Sequence, residues 1–239
     1  MKCHLIEGAE GCAYAVENHC VAVVVDALRA SAMAACLLDA GARELIVVRE
    51  VDEAYAAKRL YPEALLAGER GGVPPLGFDL GNSPHLIGDV AERRVIFTTT
   101  TGAGRLVACW GAHAIYMGTT VNASAVAQVA ASHGRDIVLI PAGLMTDPHF
   151  DAQEDWVASA AIAHIMGWPI GEGADRFAHW SSRIEEQGIE ALFESAPHAE
   201  KLRRVNLEED ILYCAALDQI TSVPKVVEKI DLGLVVRKA

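Results

Sequence analysis

The sequence predicts an α/β fold: a layered arrangement with a mixed, largely parallel sheet flanked by helices. Three observations predict it. Short apolar, β-branched runs recur along the chain. Most are followed by an Ala- and Leu-rich segment of helical length. Gly, Pro and Asn then mark the boundaries between them. Strand alternating with helix is the pattern of a sheet whose crossovers cover its faces.

The elements follow in order. The predicted strands are Val21–Val25, Glu44–Val48, Ala64–Ala67, Val95–Thr98, Ala114–Met117 and Asp136–Ile140. Between them, ALRASAMAACLLDAGA stops at Gly41 and VDEAYAAKRLYP stops before Pro62. AGRLVACWGA ends near Gly111. NASAVAQVAASHG opens on Asn122, suited to an N-cap, and closes on Gly134, suited to a C-cap. After Gly143 the character changes, with helices predicted over 151–166, over about 175–204 and in LEEDILYCAAL. VPKVVEK and DLGLVVRK read as late strands or edge segments. With no linker-like shift and no repeat, residues 1–239 are taken as a single domain, with any division into lobes near 143–151.

Composition excludes several functions. The formal charge is −12, and no Lys/Arg cluster offsets it, so nucleic acid and anionic membranes are poor partners. No apolar run has the length of a membrane span. Glu7 and Glu10 fall where a signal peptide would be apolar, so the expected location is cytoplasmic. The six cysteines form no CxxC and read as buried thiols. A homodimer is the assembly considered.

In α/β sheets ligands bind beyond the carboxyl ends of the strands. Asp26, Arg29 and Ser31 follow the first predicted strand; Glu69 and Arg70 follow the third. TTTTGAG, with Thr99, Thr100 and Thr101, follows the fourth. Glu154 and Asp155 come after IVLIPAG. Carboxylates with an Asn suit Mg²⁺, which takes oxygen ligands and keeps waters. Arg29, Arg70 and Arg105 are candidates to hold a phosphate through paired N–H groups. Each residue also has a plainer reading. Asp26 can cap a helix, Glu154 and Asp155 can decorate a helix start, and TTTTGAG lacks the Lys and spacing of a Walker A loop.

GERGGVPPLGFDLGNSP, from Gly68 to Pro84, is too rich in Gly and Pro to be a helix or central strand. Together with VVVDALRASAMAACLLDAGA, TTTTGAGRL, IPAG and YCAALDQITSVPKV, in that order along about Val21 to Val226, it resembles the 2-phosphosulfolactate phosphatase family. The resemblance implies that family's α/β fold. It also implies a Mg²⁺-dependent phosphatase converting (2R)-2-phospho-3-sulfolactate to 3-sulfolactate and phosphate, a step of coenzyme M synthesis in methanogens. The partner is then a small anionic phosphorylated substrate.

Carried over, the resemblance points to Glu154 without a role and assigns Asp26, Glu69, Asp79, Asn82 and Asp155 to the metal. Asp26 or Glu69 orients a water or acts as nucleophile, and the choice stays open. Arg29, Arg70, Ser83, Thr99, Thr100, Thr101 and Arg105 face the substrate, Arg105 reading its carboxylate or sulfonate. Three departures bear on substrate identity: Thr100 replaces an Asn, LRASA replaces a sequence like LRATT, and His85 follows GNSP. DALRA lacks a second Asp two positions on, which disfavours haloacid-dehalogenase chemistry. The rival readings are a phosphatase for another small phosphorylated hydroxy acid and a catalytically silent anion-binding protein.

Overall fold

Val21–Val25 is buried at every residue, which requires a strand covered on both faces. A computed structural model, describing residues 1–147 and 149–239, shows what covers it. Nine strands form one sheet: β1 Cys3–Leu5, β2 Val21–Val25, β3 Glu44–Val47, β4 Leu65–Gly68, β5 Arg94–Thr98, β6 Ala114–Met117, β7 Ile137–Pro141, β8 Pro224–Ile230 and β9 Gly233–Lys238. The helices are α1 Gly8–Glu17, α2 Ala30–Asp39, α3 Val51–Leu60, α4 Gly102–Ala108, α5 Ala123–Ala131, α6 Gln153–Met166, α7 Ala174–Gln187, α8 Ile189–Glu194, α9 Pro197–Arg203 and α10 Glu209–Ala215. None of the helices among the described residues is long and apolar enough to cross a membrane.

The strand order is β1-β7-β2-β6-β8-β9-β3-β5-β4. Two parallel blocks, β1-β7-β2-β6 and β3-β5-β4, are joined by the antiparallel pair β8-β9. The two late strands are therefore central to the sheet, not at its edge. Their apolar residues Val226, Leu234 and Val236 sit in the same buried cluster as β2, β3 and β5. β1 escapes the sequence reading because three residues carry no measurable alternation, yet it pairs in register with β7.

Nearly all of α2 is buried. Met33, Ala34, Leu37 and Leu38 pack with Val24 of the first block and with Leu45, Val95 and Phe97 of the second. The opposite face of the first block is covered by α5, α6, α8 and α10 through Val126, Val157, Phe193 and Ile211. α3 covers the opposite face of the second block with Ala54 and Ala57. α2 thus packs on one face of the sheet against both blocks, and neighbouring strands in such twisted sheets rotate by roughly 20–25°. This brings the carboxyl ends of β2, β4 and β5 to a common cleft.

All six cysteines are free and buried, as their spacing suggests. Asn122 departs from its expected capping role. Its Oδ1 accepts the Thr119 N–H at 3.0 Å and its Nδ2 donates to the Ser222 carbonyl at 2.9 Å, tying the start of α5 to the approach to β8.

At one end of the sheet, buried Glu44 stitches three strands together. Arg94 Nε of β5 donates to its Oε1 at 2.7 Å, and Arg237 of β9 donates to its Oε2 through Nε at 3.0 Å and Nη2 at 2.8 Å. Burial alone would raise this carboxyl, but the hydrogen bonds and charges of Arg237 and Arg94 hold it below its ordinary value. A lowered carboxylate contributes stability that is present above its unfolded pKa and is lost as pH falls through the folded value. Glu44→Ala should therefore cost about 1–3 kcal/mol at neutral pH. The difference from wild type, followed by urea denaturation, should shrink below roughly pH 4.

Candidate active site

The common cleft has a volume of about 510 Å³. Its floor begins where β2 ends. The Asp26 Oδ1 accepts the Ala30 N–H at 3.0 Å, and its backbone carbonyl accepts the Ser31 N–H at 2.9 Å. Ser31 Oγ in turn accepts the Asp26 N–H and donates to the Val24 carbonyl, both at 3.0 Å. The capping and cleft-lining readings of Asp26 are thus both true, because one oxygen orders α2 while the side chain lines the cleft. Gly102 leaves room for it, since a Cβ there would lie 2.8 Å from Asp26 Oδ2 and 2.7 Å from Ala30 Cβ.

The Gly- and Pro-rich segment forms the next wall. Gly68 lets β4 approach β5, because at its φ of +144° a Cβ would stand 1.9 Å from the Thr98 carbonyl oxygen. Glu69 Oε1 accepts the Thr100 N–H at 2.8 Å and Oε2 accepts the Gly72 N–H at 2.9 Å. This carboxylate therefore clamps the loop to the Thr-rich turn while lining the cleft. Thr99 and Thr101 accept backbone N–H groups from Ala103 at 3.2 Å and Met145 at 3.3 Å. Each hydroxyl keeps its own proton to donate to a ligand. Thr100 lines the cleft beside them.

Arg29 lines the cleft while almost wholly buried. Its Nη1 donates to Asp210 Oδ2 at 2.5 Å and its Nη2 to the Gly72 carbonyl at 3.0 Å. Asp210, on α10, also accepts the Ser83 hydroxyl at 2.6 Å. Asn82 lines the cleft, and its buried Oδ1 has no hydrogen-bond partner among the described residues.

Several residues expected at the site lie elsewhere. Asp79, expected on the metal, instead accepts the Leu66 N–H at 2.8 Å and secures β4, outside the cleft lining. Arg70, expected on the substrate, turns back to the carbonyls of Glu69 and Arg49 and to Thr98 Oγ1, at 2.7, 2.7 and 3.0 Å. Ser83 serves Asp210 and is not in the cleft wall. Arg105 donates to the Ala142 carbonyl at 2.9 Å and lines a different cleft with Glu7 and Trp156. Asp155 lies beneath the floor, where its two oxygens accept the Ala27 N–H at 2.8 Å and the Gly143 N–H at 3.1 Å.

What replaces the missing cations is α9. His198 and Lys201 of α9 and Arg204, its C-cap, stand on the cleft wall three residues apart. Lys201 Nζ sits 3.9 Å over the Phe150 ring, and that ring lies 4.5 Å from the His198 ring. The spacing in PHAEKLRR was visible in the sequence. However, nothing local tied it to strand ends at Val25, Gly68 and Thr98, far earlier in the chain. Asp210 lies in the first turn of α10, and its partner, Arg29, lies 181 residues earlier.

The buried acids repel one another. Burial pushes Asp26 above the ordinary carboxylate range, and Glu69 and Glu154 add to this against the Ala30 N–H and His198. Burial also pushes Asp155 well up, with Glu154 and Asp26 adding. A cation relieves such crowding. Among the described residues, no three His, Cys, Asp or Glu side chains converge as a metal cage. The available donors, the Asp26 carboxylate and the orphaned Asn82 Oδ1, suit instead a hard cation held by one or two protein oxygens, with waters and ligand oxygens completing its shell.

Comparison with known proteins bears on what such a cleft does. A family profile described as 2-phosphosulpholactate phosphatase matches residues 9–229. A Deinococcus radiodurans protein named "Probable 2-phosphosulfolactate phosphatase" is 37% identical over 220 residues, covering 89% of this chain and 90% of its own. Proteins of the same name from Carboxydothermus hydrogenoformans and Pseudothermotoga lettingae are 32% and 33% identical. They cover 85% and 89% of this chain, and 84% and 92% of their own.

Proposed function

The chain belongs to the 2-phosphosulfolactate phosphatase family, and we infer from this that it hydrolyses a phosphate monoester in the cleft floored by Asp26. The proposed substrate is (2R)-2-phospho-3-sulfolactate, and the products are 3-sulfolactate and phosphate. The observation that carries the reading is the division of charge. The carboxylates Asp26 and Glu69 line the same cleft as the cations Arg29, Lys201 and Arg204. A small substrate bearing phosphate, carboxylate and sulfonate needs several cations at once.

We propose Mg²⁺ as the cofactor, held by Asp26 and Asn82. When bound, it supplies Lewis-acid neutralisation of phosphate charge. The protein's own groups do the rest. Arg29, fixed by Asp210, presents its remaining N–H donors to the phosphate oxygens. The Thr99 and Thr101 hydroxyls donate to the same group or to its neighbour. Asp26 is placed to orient the attacking oxygen or to supply it. Thr100 lies on the cleft wall, so the departure at that position falls where it can tune which phosphorylated hydroxy acid fits.

The test is phosphate release from 2-phospho-3-sulfolactate by the purified protein. Release should be abolished by EDTA and restored by Mg²⁺. Lys201→Ala should raise KM about tenfold, the value of one charge-assisted contact. Arg105→Ala, in the other cleft, should change neither KM nor kcat. No release from this ester, with release from another phosphorylated hydroxy acid, would replace the substrate. No release from any such ester would leave a silent anion binder.

A further inference from the structure

The cleft wall holds an ionisable pair that the chemistry above does not use. Glu154 is wholly buried in the first turn of α6. Its Oε1 is hydrogen-bonded to His198 Nδ1. Its Oε2 has no partner among the described residues. Burying a carboxylate this deeply is costly unless it serves a partner, and His198 is that partner. The Phe150 ring, 4.5 Å away, supports the imidazole from a second side. His198 is one-fifth exposed and lines the cleft together with Asp26. With Nδ1 held by Glu154, Nε2 sits across the ring and points away from α6. It makes no hydrogen bond among the described residues.

We propose that His198 is the general acid that protonates the leaving oxygen of the substrate, with Glu154 as the positioning residue that holds its ring. The inference rests on the phosphatase reading and adds a residue to it. In the step, a bond forms between phosphorus and the oxygen of an attacking water, and the phosphorus–ester oxygen bond breaks. The electron pair of the broken bond stays on the ester oxygen, which takes the Nε2 proton and departs as an alcohol. One water proton remains on the phosphate, and the other is released and restores the imidazolium after turnover.

Such a donor matters here because the leaving group is a secondary alkoxide, which departs poorly without a proton. The charged groups around the imidazole favour its proton. Burial by itself would lower His198, but the hydrogen bond and charge of Glu154, with Asp26 adding, outweigh both burial and Lys201 on the same helix. His198 therefore stands above the ordinary histidine value, and the acid form is lost as pH rises through that raised value.

The experiment uses His198→Asn in the full chain with two esters. One is 2-phospho-3-sulfolactate. The other is p-nitrophenyl phosphate, whose phenolate leaves without a proton. Expected is a fall of about 10²–10⁴-fold in kcat for the alkyl ester and less than about tenfold for the aryl ester. The retained aryl activity also shows that the variant is folded. A second readout needs no aryl substrate: the alkaline limb of the alkyl kcat–pH profile should disappear in His198→Asn and move to lower pH in Glu154→Gln. An equal loss on both esters, an undiminished alkyl rate or an unmoved limb overturns the inference while the phosphatase reading stands. A wild-type protein that releases phosphate from neither ester removes both.

Discussion

Asp210→Ala is expected to destabilise the protein by about 3–5 kcal/mol, because it strands a buried guanidinium. Arg29 is 2% exposed and Asp210 is 1% exposed. With Asp210 gone, the remaining side-chain hydrogen bond of Arg29 among the described residues is to the carbonyl of Gly72. The Ser83 hydroxyl also loses its acceptor, so the 3₁₀ turn at Pro84–Leu86 loosens from α10. For a chain of this size the change corresponds to a fall in melting temperature of roughly 6–20 °C. The neighbouring control is Glu209→Ala. Glu209 is mostly exposed and pairs with half-exposed His85, so its loss should stay within about 1 kcal/mol. Urea denaturation of both variants decides the matter. A cost for Asp210→Ala no greater than for Glu209→Ala would mean that Arg29 does not depend on its buried partner. Turnover should also fall in Asp210→Ala, since Arg29 loses its orientation in the cleft.

Asp26→Asn should have the largest effect on turnover, a loss of at least about 10³-fold in kcat. The amide can still accept the Ala30 N–H, so α2 keeps its start and the fold survives. Stability should move in the opposite direction. Burial raises Asp26, with Glu69 and Glu154 adding to it. A raised carboxyl contributes stability below its unfolded pKa of about 3.9 and loses it as pH rises through the folded value. At neutral pH the metal-free wild type therefore bears a cost at this acid that the asparagine lacks. Metal-free Asp26→Asn should melt at a higher temperature than metal-free wild type at pH 7, and the gap should close below roughly pH 4. Activity retained at the wild-type level would remove Asp26 from the chemistry. A lower melting temperature at pH 7 would show that its charge is compensated within the protein.

The parts of the fold that could be read from the sequence are those whose cause is local. VAVVV is continuous because both of its faces are covered, and its pattern and its burial are one fact. The central place of β8 and β9 is not local. Alternating VPKVVEK and DLGLVVRK look like edge strands because Glu228 and Lys229 are exposed. Only pairing with β6 and β3 shows that they sit in the middle of the sheet. The same distinction governs the site. Asp26 and Glu69 follow strand ends directly, and the structure brings both to the cleft. Asp79, Arg70 and Arg105 have the right chemistry nearby in sequence, but backbone groups outside the cleft claim them first: the Leu66 N–H, the Glu69 and Arg49 carbonyls and the Ala142 carbonyl. His198 and Lys201 come from a short helix whose docking depends on packing among α6, α8 and α10, which no window of sequence contains.

The strands that join the two halves of the sheet occupy residues 224–238, after every other strand in the chain. While the polypeptide emerges from the ribosome, two half-sheets must wait, each with an open flank at β6 or β3. Those flanks can pair with neighbouring nascent chains until the hairpin arrives to seal them. Premature termination before residue 224 would leave both flanks open and should release an aggregation-prone fragment rather than a shortened enzyme.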